Sequence, residues 1–577
     1  MRASNRIIAK VLSEVGTYLE MQDVPFKPRA YEKAAEAIGG LGEDAESIYR
    51  DGGLRALEEI PGVGASIAKK IEELVRTGKL AYYDKLKKKI PVDVSGFMKV
   101  EGLGAKSIRK LYQKLGVRTL GTLEQAARSG KIAKLPGFGK KSQEKILKGI
   151  EFAKRSGERF LLGSVMPEIE GIESRLRGIP GVERIAIAGS VRRRKETIGD
   201  ADILIASRTP KEIMDYFTKM PDVVYIHVKG DTKSSVKLRA GFDVDLRIVP
   251  RESYGAALNY FTGSKEHNVA LRERAAGRRM KLNEYGLFRR TGRKEVWVAG
   301  ETEEGIYKAL GLRYVDPELR ENSGEVERAA QGKLPDLVGY GSLLGDLQVQ
   351  TDWSDGSASI ETMARAAVAR GLEYIAITDH TKGLAMIGGL DEKKILKQMA
   401  EIDRVNKKLR GRIKVLKSTE CDILKDGSLD LPGSVLEKLD VAGVSVHSRF
   451  GLSRKDQTER IVRAISNPDV DILFHPTGRI IQRREPYELD MNAVVRAAKR
   501  SGAILEINAQ PARLDLKDEY IRKCVESGVM LSIDSDAHAP GHFEYLPYGI
   551  AQARRGWAER RDIVNAWSLK QMMALLK

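Results

Sequence analysis

Three aspartates in strand-like surroundings are the residues of this chain best suited to metal chemistry. Asp200 and Asp202 stand two residues apart in GDADILIAS, and Asp245 lies in a second apolar run, FDVDLRIV. Because alternate residues of a strand point to the same side, Asp200 and Asp202 are expected to face one way, and a second strand can bring Asp245 beside them. Three carboxylates so close together are costly unless divalent cations lie among them. Since Mg²⁺ takes oxygen ligands and keeps positions for substrate phosphates, the set predicts a two-metal phosphoryl-transfer site.

A glycine-serine turn and a basic run precede these aspartates, in 189-GSVRRRKETIGDAD-202. The backbone amides of Gly189 and Ser190 can bind a triphosphate, and Arg193 can neutralise it. A D-x-D pair on a strand is common in proteins without a metal, so the pair alone indicates little. The turn, the arginines, D-x-D and a later D-x-D-L-R occur in this order, which favours the catalytic interpretation over a purely structural one.

A second set of metal-binding side chains lies in the C-terminal half. Four of the chain's seven histidines stand at the ends of strand-like runs, with acidic residues in similar positions. The set comprises Asp355, His380, Glu420, His447, His475, Asp536 and His538. A single buried histidine is more often a hydrogen-bonded core residue than a ligand, but together these residues have the chemistry of a multinuclear site that activates water for phosphoester hydrolysis.

The elements that position these residues follow from the apolar pattern. Short runs such as IAIAGS at 185–190 and ILIAS at 203–207 indicate a mixed α and β domain. From about residue 341 onward, strand-like runs alternate with helical ones, and polar residues follow the strand ends. α/β barrels place their active sites at those ends, so the pattern predicts a barrel. Residues 319–340 are polar and weakly patterned, and they are interpreted as a linker.

The N-terminal part is helical and contains a threefold repeat. The copies are 59-EIPGVGASIAKKIEEL-74, 100-VEGLGAKSIRKLYQKL-115 and 134-KLPGFGKKSQEKILKGI-150. Each is a G-x-G turn before a basic helix, and the turn amides and helix dipole favour phosphate. One copy could be a plain helical hairpin, but three resemble the helix-hairpin-helix motif, which binds the DNA backbone without reading sequence. The glycines predicted to contact DNA are Gly62, Gly64, Gly102, Gly104, Gly137 and Gly139.

Composition restricts the class of protein. The chain has 577 residues, too many for one core, and a formal net charge of +19, which favours a polyanionic partner. The two cysteines, Cys421 and Cys524, exclude a disulfide scaffold and a cysteine-based zinc site. No apolar run reaches the length of a membrane span, and the N-terminal sequence lacks the pattern of a signal peptide. We therefore expect a cytoplasmic protein without a membrane partner.

The ordered motifs G-S-x-R-R, G-D-x-D and D-x-D-L-R resemble the palm of family X DNA polymerases, the DNA polymerase beta-like repair enzymes. The stretches 260-YFTGSKEHN-268 and 283-NEYGL-287 are similar to that family's nucleotide-binding thumb segment. The resemblance implies a multidomain α+β and α/β fold with helical N-terminal domains, a nucleotidyltransferase palm and thumb, and a C-terminal distorted (β/α) barrel. The expected domains are 1–85 (helical and lyase-like), 86–155 (fingers and DNA-binding), 156–255 (palm), 256–318 (thumb), 319–340 (linker) and 341–577 (barrel).

The resemblance also assigns roles in the polymerase site. Asp200 and Asp202 are expected to bind both metal ions, Mg²⁺ or Mn²⁺, and Asp245 to bind the catalytic ion and activate the primer 3′-hydroxyl. Asp243 shares the face of Asp245 and is the competing assignment, but the family spacing to R-x-x-P selects Asp245. Arg247 is expected to hold a carboxylate or Tyr285 in place. The residues expected to bind the dNTP are Gly189, Ser190 and Arg193 at the β and γ phosphates, Tyr260, Phe261 and Gly263 near the sugar, and Asn268 at the base.

A lyase is the second activity that the resemblance implies. Family X enzymes can remove a 5′-deoxyribose phosphate through a lysine Schiff base, which needs a lysine whose amine is often neutral. The family's nucleophile falls on Lys70, and Lys27 and Tyr31 match a phosphate-binding lysine and its supporting tyrosine. Ser66 stands where a second lysine is often found. The alternative is that Lys70 is an ordinary helix lysine, solvated or in contact with phosphate.

The C-terminal part resembles the polymerase-and-histidinol-phosphatase (PHP) domain, which is associated with Mn²⁺-dependent 3′→5′ exonuclease activity in this family. Its first motif is altered: the family reads D-L-H-x-H-T, whereas this chain reads 346-DLQVQT-351. Gln348 and Gln350 therefore stand where two histidine ligands are expected, and a neutral amide oxygen is a weak ligand for Mn²⁺ or Zn²⁺. Either the domain has lost hydrolysis and serves as a structural platform, or the remaining residues bind fewer metal ions. A deliberate substitution of both histidines would give the same sequence.

The combined interpretation is a DNA-directed DNA polymerase that fills short gaps during base excision repair, with an impaired exonuclease. We expect a monomer that binds gapped or nicked double-stranded DNA and dNTPs. Three rivals stay open: a template-independent or RNA-directed nucleotidyltransferase, a DNA-end-processing phosphoesterase whose polymerase half mainly binds DNA, and a non-catalytic DNA scaffold.

Overall fold

A computed structural model describes residues 5–39, 41, 44–98, 100, 103–156, 159–291 and 294–576, without the side chains of residues 6 and 152–156. Separate hydrophobic cores follow one another along the chain. One draws on residues 8–150, one on 162–248 and one on 256–329 together with Trp557. The C-terminal part has two further cores between residues 338 and 576. The multidomain α+β and α/β fold is confirmed.

The N-terminal part consists of helices joined by tight turns. They are α1 (Asn5–Glu20), α2 (Lys27–Gly39), α3 (Ala45–Glu58), α4 (Ala65–Thr77), α5 (Ala81–Lys89), α6 (Val94–Phe97), α7 (Ala105–Leu115), α8 (Leu120–Arg128) and α9 (Lys140–Ser156). In α1, Ile8, Leu12, Val15 and Leu19 recur every three or four residues and are at most 3% exposed. This spacing places them on one helical face, which packs into the core.

A mixed five-stranded sheet follows, in the order β2-β4-β7-β6-β5. Its elements are β1 (Phe160–Leu161), α10 (Leu162–Arg177), β2 (Arg184–Ile187), α11 (Gly189–Arg192), β3 (Thr197–Ile198), β4 (Asp200–Ala206), α12 (Pro210–Thr218), β5 (Val223–Lys229), β6 (Lys233–Leu238) and β7 (Asp243–Val249). The neighbours β4 and β7 run parallel, whereas the other pairs of this sheet are antiparallel. Residues 203–206 of β4 are all buried, which explains the unbroken apolar run after Asp202.

The thumb packs helices against a small antiparallel sheet. Its elements are α13 (Tyr254–Thr262), α14 (Lys265–Gly277), β8 (Met280–Asn283), β9 (Gly286–Thr291), β10 (Lys294–Ala299), α15 (Glu303–Ala309) and α16 (Glu325–Ala330). The segment 319–340, which we expected to be a linker, is packed rather than extended. Leu319, Val326 and Ala329 belong to the thumb core, and Arg320 and Glu325 are fully buried. Its polar composition reflects buried ion pairs, which give no apolar periodicity in the sequence.

The C-terminal part alternates parallel strands with helices. Its elements are β11 (Gly345–Val349), α17 (Ile360–Ala369), β12 (Tyr374–Ile377), α18 (Glu392–Lys408), β13 (Lys414–Lys417), β14 (Glu420–Asp422), α19 (Gly433–Leu436), β15 (Gly443–Ser445), α20 (Arg454–Ile465), β16 (Ile472–Leu473), α21 (Met491–Ser501), β17 (Ile504–Asn508), α22 (Asp518–Ser527), β18 (Leu531–Asp534), α23 (Leu546–Arg555) and α24 (Leu569–Met573). Sheets β11-β12-β13 and β14-β15-β16-β17-β18 are joined by bridges at Val349–Ala537 and His380–Glu420. The strands thus curve into a distorted barrel, and the run predicted at 413–423 is two strands.

Short 3₁₀ helices complete the chain, at Ile132–Lys134, Arg251–Ser253, Pro317–Leu319, Lys382–Ile387, Pro540–Tyr545, Arg560–Asp562 and Val564–Ala566. Among the described residues, no helix combines the length and the apolar character that crossing a membrane requires.

Candidate active sites

The parallel register of β4 and β7 brings the palm aspartates together. Asp202 stands opposite Asp245, and Asp200 stands opposite Asp243. The four carboxylates therefore lie on one face of the sheet and alternate along each strand with buried residues. Burial and the charges of Asp200 and Asp245 raise the pKa of Asp202 to about 7. A carboxyl that resists ionisation because of its neighbours fits a position beside a divalent cation.

The palm carboxylates are spaced more widely than a single compact ion site. In the described part of the chain, the groups of three or more ligands whose atoms all lie within 4.8 Å of one another occur in the C-terminal domain. Two ions need a wider set of ligands than one ion does. The oxygen-only donor set suits Mg²⁺ or Mn²⁺.

The surroundings distinguish Asp245 from its neighbour Asp243. Asp243 Oδ1 lies 3.1 Å from His227 Nε2 and 3.4 Å from Lys237 Nζ, so cationic or polar partners already occupy it. Asp245 Oδ2 has a looser partner, Lys233 Nζ at 3.7 Å, and its charge acts on Asp202. The geometry therefore favours Asp245 as the third carboxylate of the site.

Gly189 is required by its close approach to Asp202. Its φ is +62°, and an added Cβ would lie 2.3 Å from Asp202 Oδ2. Only glycine fits there without moving the carboxylate. The following turn places Ser190 beside the site, and the Ser190 carbonyl accepts a hydrogen bond from the Lys195 amide at 3.0 Å.

Arg193 lies between the palm and the thumb. Its guanidinium donates to the Thr262 carbonyl, and its Nε donates to Glu321 Oε1 at 3.1 Å. An added Cβ at Gly263 would lie 3.1 Å from Arg193 Nη1, so this glycine permits the approach. The charge of Arg193 also lowers the pKa of Asp202, opposing the effect of burial. Arg193 thus contacts the Y-F-T-G-S segment, and its charge acts on the palm carboxylate Asp202.

The predicted sugar- and base-binding residues form one group. The rings of Tyr260 and Phe261 meet edge to face with centroids 5.1 Å apart, and the Arg247 guanidinium lies 4.3 Å from the Phe261 centroid. Asn268 donates to the Tyr260 carbonyl at 2.7 Å, which leaves its buried Oδ1 without a partner in the described residues. Arg247 stacks on Phe261, whereas Tyr285 is 60% exposed. Arg247 therefore contacts Phe261, and its charge lowers the pKa of Asp202.

A buried ion network supports the thumb, and the sequence did not reveal it. Arg192 and Arg320 both donate to Glu303, at 2.6 Å in each case. Although burial alone would raise it, these two arginines lower the pKa of Glu303 to about 2. His267 lies 2.6 Å from Glu325 and 2.8 Å from the Tyr307 hydroxyl, so the supposed linker is fixed to α14. A signal was present in the arginine and glutamate residues of 316-DPELRENSGEVER-328, but such pairs have no fixed spacing.

Lys70 has the surroundings of a lysine with an accessible neutral form. Its Nζ donates to the Ser66 carbonyl at 2.9 Å and to the Ser66 hydroxyl at 3.1 Å. The same Nζ lies 5.9 Å from the Tyr31 ring centroid and 5.1 Å from that of Tyr82. Burial and the charge of Lys27 lower the pKa of Lys70. The structure therefore brings the predicted lyase residues together, with the Ser66 hydroxyl in place of a second lysine.

The helix-hairpin-helix turns share one geometry. Gly62 and Gly137 have φ of +82° and +81°, which side chains disfavour. Gly64 and Gly104 are the N-caps of α4 and α7, each with φ of −84°, and a Cβ added to either would meet nothing within 4 Å. These turns are open to an approaching phosphate backbone. The described glycines of the predicted set are Gly62, Gly64, Gly104, Gly137 and Gly139, whereas Gly102 lies outside the described residues.

The barrel gathers its predicted ligands at the C-terminal ends of the strands. Two groups have all their ligand atoms within 4.8 Å of one another: Asp355 with His380 and His538, and His380 with Glu420 and His447. The Nδ1 atoms of His380 and His475 are buried and make no hydrogen bond within the described residues. Orphaned imidazole nitrogens beside carboxylates fit Mn²⁺ or Zn²⁺.

Glu420 is the centre of this set. Its Oε1 lies 2.8 Å from His475 Nε2 and 3.0 Å from His447 Nε2, and its Oε2 lies 3.4 Å from His380 Nδ1. Although burial alone would lower it, Glu420 raises the pKa of His447 to about 9. Asp355 does the same for His538, whose pKa rises to about 10.

Gln348 and Gln350 fill the place of the two missing histidines. The Gln350 amide donates to Glu420 Oε2 at 2.9 Å, and the Gln348 amide donates to the same oxygen at 3.3 Å. Asn508 donates to Gln348 Oε1 at 3.2 Å and to Asp536 Oδ2 at 3.2 Å. Both glutamines are fully buried, so their amides form an uncharged network on one side of the ligand set. A metal ion at that position would lack its imidazole ligands.

Arg513 is a second residue that the sequence did not reveal. Its Nε lies 3.3 Å from Asp536 Oδ2, and its charge and that of His538 lower the pKa of Asp536 against the effect of burial. A guanidinium thus stands near the carboxylate that the depleted metal position would share. The signal was only an arginine after strand β17, which has no distinctive spacing.

Models of known families match successive parts of the chain. The helix-hairpin-helix domain matches residues 3–80, the SAM-like helix-hairpin-helix tandem 94–151, the DNA polymerase beta thumb 257–321 and the PHP domain 346–567. The DNA polymerase/3′-5′ exonuclease PolX of Bacillus subtilis (strain 168) is 37% identical over 578 residues, 99% of each chain. A probable phosphatase of Thermoanaerobacter sp. (strain X514) is 32% identical over 203 residues, 32% of this chain and 76% of the relative.

A probable phosphatase of Acetivibrio thermocellus is 31% identical over 189 residues, 31% of this chain and 73% of the relative. The phosphatase matches cover about a third of the chain, whereas the PolX match covers nearly all of it and accounts for both the polymerase-like and the barrel parts. The palm aspartates, the thumb and the histidine-bearing barrel therefore belong together, and the chain is a member of family X of the DNA polymerases, in the branch that carries a C-terminal PHP domain.

Proposed function

We propose that the protein is a DNA-directed DNA polymerase that fills short gaps in base excision repair. The observation that carries the proposal is the placement of Asp202 opposite Asp245 on adjacent parallel strands, with Arg193 and the Y-F-T-G-S segment beside them. The helix-hairpin-helix turns and the net charge of +19 support a duplex DNA partner. We further propose a cytoplasmic monomer that uses dNTPs on gapped or nicked duplex.

The reaction joins the primer 3′-oxygen to the α-phosphorus of the dNTP and releases pyrophosphate. Divalent ions, when bound, polarise the phosphate and stabilise the developing charge. Asp200, Asp202 and Asp245 would hold them, and Asp245 would accept or orient the 3′-hydroxyl proton. Arg193 and the Gly189 turn would hold the β and γ phosphates, which places the α-phosphorus against the primer end.

The test is extension of a labelled primer on three substrates: a gapped duplex, the same duplex with a mismatched primer end, and a single strand. Each is offered one dNTP at a time with Mg²⁺. We expect addition only of the templated nucleotide and most efficiently on the gap. Addition of any nucleotide to the single strand would instead indicate a template-independent transferase, and no addition on any substrate would favour the scaffold or end-processing alternatives.

We also propose a 5′-deoxyribose-phosphate lyase in the first domain, because Lys70 combines a lowered pKa with the neighbours Lys27 and Tyr31. The Lys70 amine would condense with the sugar aldehyde, which forms an imine and releases water. Loss of a C2′ proton would then break the C3′–O bond and free the 5′-phosphate end of the DNA. The lowered pKa increases the neutral fraction that can attack.

Lys70→Ala is expected to abolish trapping of the protein on 5′-deoxyribose-phosphate DNA by borohydride, which reduces the imine to a stable amine. Loss of the reacting amine should reduce trapped product by about 100-fold or more. Lys69→Ala is the matched control, since Lys69 is the exposed neighbour on the same helix. Trapping of Lys70→Ala at the level of the unaltered protein would remove Lys70 from the mechanism.

For the PHP domain we propose metal binding by the residual histidines and carboxylates and an impaired 3′→5′ exonuclease. The two compact groups around His380 support metal binding, and the amide network of Gln348 and Gln350 supports the impairment. Mn²⁺ or Zn²⁺ is the ion that these nitrogen and oxygen ligands suit.

A further inference from the structure

The carboxylate of Glu321 lies between an arginine of the polymerase half and an arginine of the PHP domain. Arg193 Nε and Arg555 Nη1 both donate to Glu321 Oε1, each at 3.1 Å. Lys195 Nζ lies 3.5 Å from the other oxygen, Oε2. Glu321 lies in the thumb, whereas Arg555 is the last residue of α23 in the barrel. One carboxylate therefore joins the nucleotide-side arginine to the C-terminal domain.

Arg555 is held firmly in this position. Its side chain is 4% exposed, and its Nη2 donates to Asp518 Oδ2 at 2.5 Å. Its Nη1 also donates to the backbone carbonyl of Arg193 at 3.0 Å. Arg555 thus contacts the Arg193 backbone directly, and it is linked to the Arg193 guanidinium through their shared partner Glu321.

This arrangement bears on how Arg193 can bind a triphosphate. The Arg193 guanidinium donates to Glu321 and to the Thr262 carbonyl. If Arg193 were the only cation beside Glu321, turning Arg193 towards phosphate would leave a partly buried carboxylate without a partner, which is costly. Arg555 and Lys195 remain beside Glu321 and balance its charge, so Arg193 is released more easily. The bond from Arg555 to the Arg193 carbonyl keeps the backbone fixed meanwhile.

We infer that Arg555, a residue of the PHP domain, is a positioning residue for nucleotide binding in the polymerase site, acting through Glu321 and Arg193. The inference rests on the proposed role of Arg193 at the triphosphate. It also gives the barrel a function in the polymerase reaction that does not depend on its own metal ions.

The test is steady-state insertion of one templated dNTP on gapped DNA by the full chain. Arg555→Met should raise the KM for dNTP by about tenfold, because Glu321 then retains Arg193, and should change kcat by less than about threefold. Arg555→Lys keeps the charge and should restore part of the loss. Adding Glu321→Gln to Arg555→Met removes the competing carboxylate, so the KM should return toward its original value.

Arg554→Met is the matched control. Arg554 precedes Arg555 on α23 and pairs instead with Glu318 at 2.8 Å and Asp316 at 3.0 Å. Arg554→Met removes ion pairs at the same contact between thumb and barrel, so it should lower the melting temperature of the protein without raising the KM for dNTP. Equal KM values for Arg554→Met and Arg555→Met, or no rise with Arg555→Met, would overturn the inference. Arg193→Ala tests the proposed role of Arg193 separately from the role of Arg555. An unchanged KM for dNTP in Arg193→Ala would reject the role of Arg193 in nucleotide binding.

Discussion

Asp245→Ala is expected to lower the rate of nucleotide insertion by about 10³-fold or more, equivalent to about 4 kcal/mol of transition-state stabilisation, while binding to gapped DNA remains. The alanine removes one ligand of the proposed catalytic ion and the group that orients the primer 3′-hydroxyl. The DNA contacts predicted at the helix-hairpin-helix turns lie in another part of the chain and are unaffected. Single-turnover insertion and a DNA-binding titration on the same substrate measure the two effects separately.

Asp243→Ala is the control for this prediction, because Asp243 lies two residues earlier on the same face of β7. Its carboxylate is already paired with His227 and Lys237, so its removal should reduce insertion by less than about tenfold. If Asp243→Ala abolished insertion and Asp245→Ala did not, the two roles would have to be exchanged. If neither substitution slowed insertion, the palm carboxylates would not form the active site.

The carboxylate face of the palm could be predicted because it rests on short-range geometry. Alternation along a strand fixes Asp200 with Asp202, and a second apolar run supplies Asp245. The pairing of β4 with β7 is a long-range fact, yet two similar D-x-D runs made it the simplest arrangement. The parallel register, which sets Asp202 opposite Asp245, follows only from the fold.

The buried ion pairs of the thumb could not be predicted, because a charged residue that is buried in an ion pair looks like an exposed one in the sequence. Arg320 and Glu325 are fully buried, yet their polar segment was interpreted as a linker. The same reason hid Glu321 and Arg555, which lie far apart in the chain and meet only at the seam between thumb and barrel. Burial of paired charges depends on tertiary contacts rather than on local periodicity.

The altered first PHP motif was visible in the sequence, but its structural consequence was not. The amides of Gln348 and Gln350 do more than fail to bind a metal ion, since both donate to Glu420, the carboxylate that the remaining histidines share. A cation could take the place of these N–H donors at Glu420 only if the glutamine side chains rotated away. The two glutamine amides would thus compete directly with a metal ion for Glu420.

Gln348→His/Gln350→His is therefore expected to increase the number of Mn²⁺ ions bound per chain and to produce or strengthen 3′→5′ shortening of a labelled primer without dNTPs. Two imidazoles supply direct ligands and release Glu420 from the amides, so Mn²⁺ affinity at that position should rise by about 100-fold or more. Metal content after dialysis measures binding independently of hydrolysis. Adding His380→Ala should abolish the shortening, since His380 belongs to both compact ligand groups.

The outcomes of that experiment distinguish the two interpretations of the PHP domain, a structural platform or a site that binds fewer metal ions. Added Mn²⁺ with new shortening means that the two ligands alone were missing and the rest of the site is intact. Added Mn²⁺ without shortening means that other residues of the hydrolytic site have also changed, and the barrel is then chiefly a platform for the polymerase half. Equal shortening by the unaltered chain would contradict the proposed impairment, because the residual histidines and carboxylates would then suffice. No gain in Mn²⁺ would show that the space of the glutamine amides cannot hold an ion, and Arg513, 3.3 Å from Asp536, would be the group to replace next.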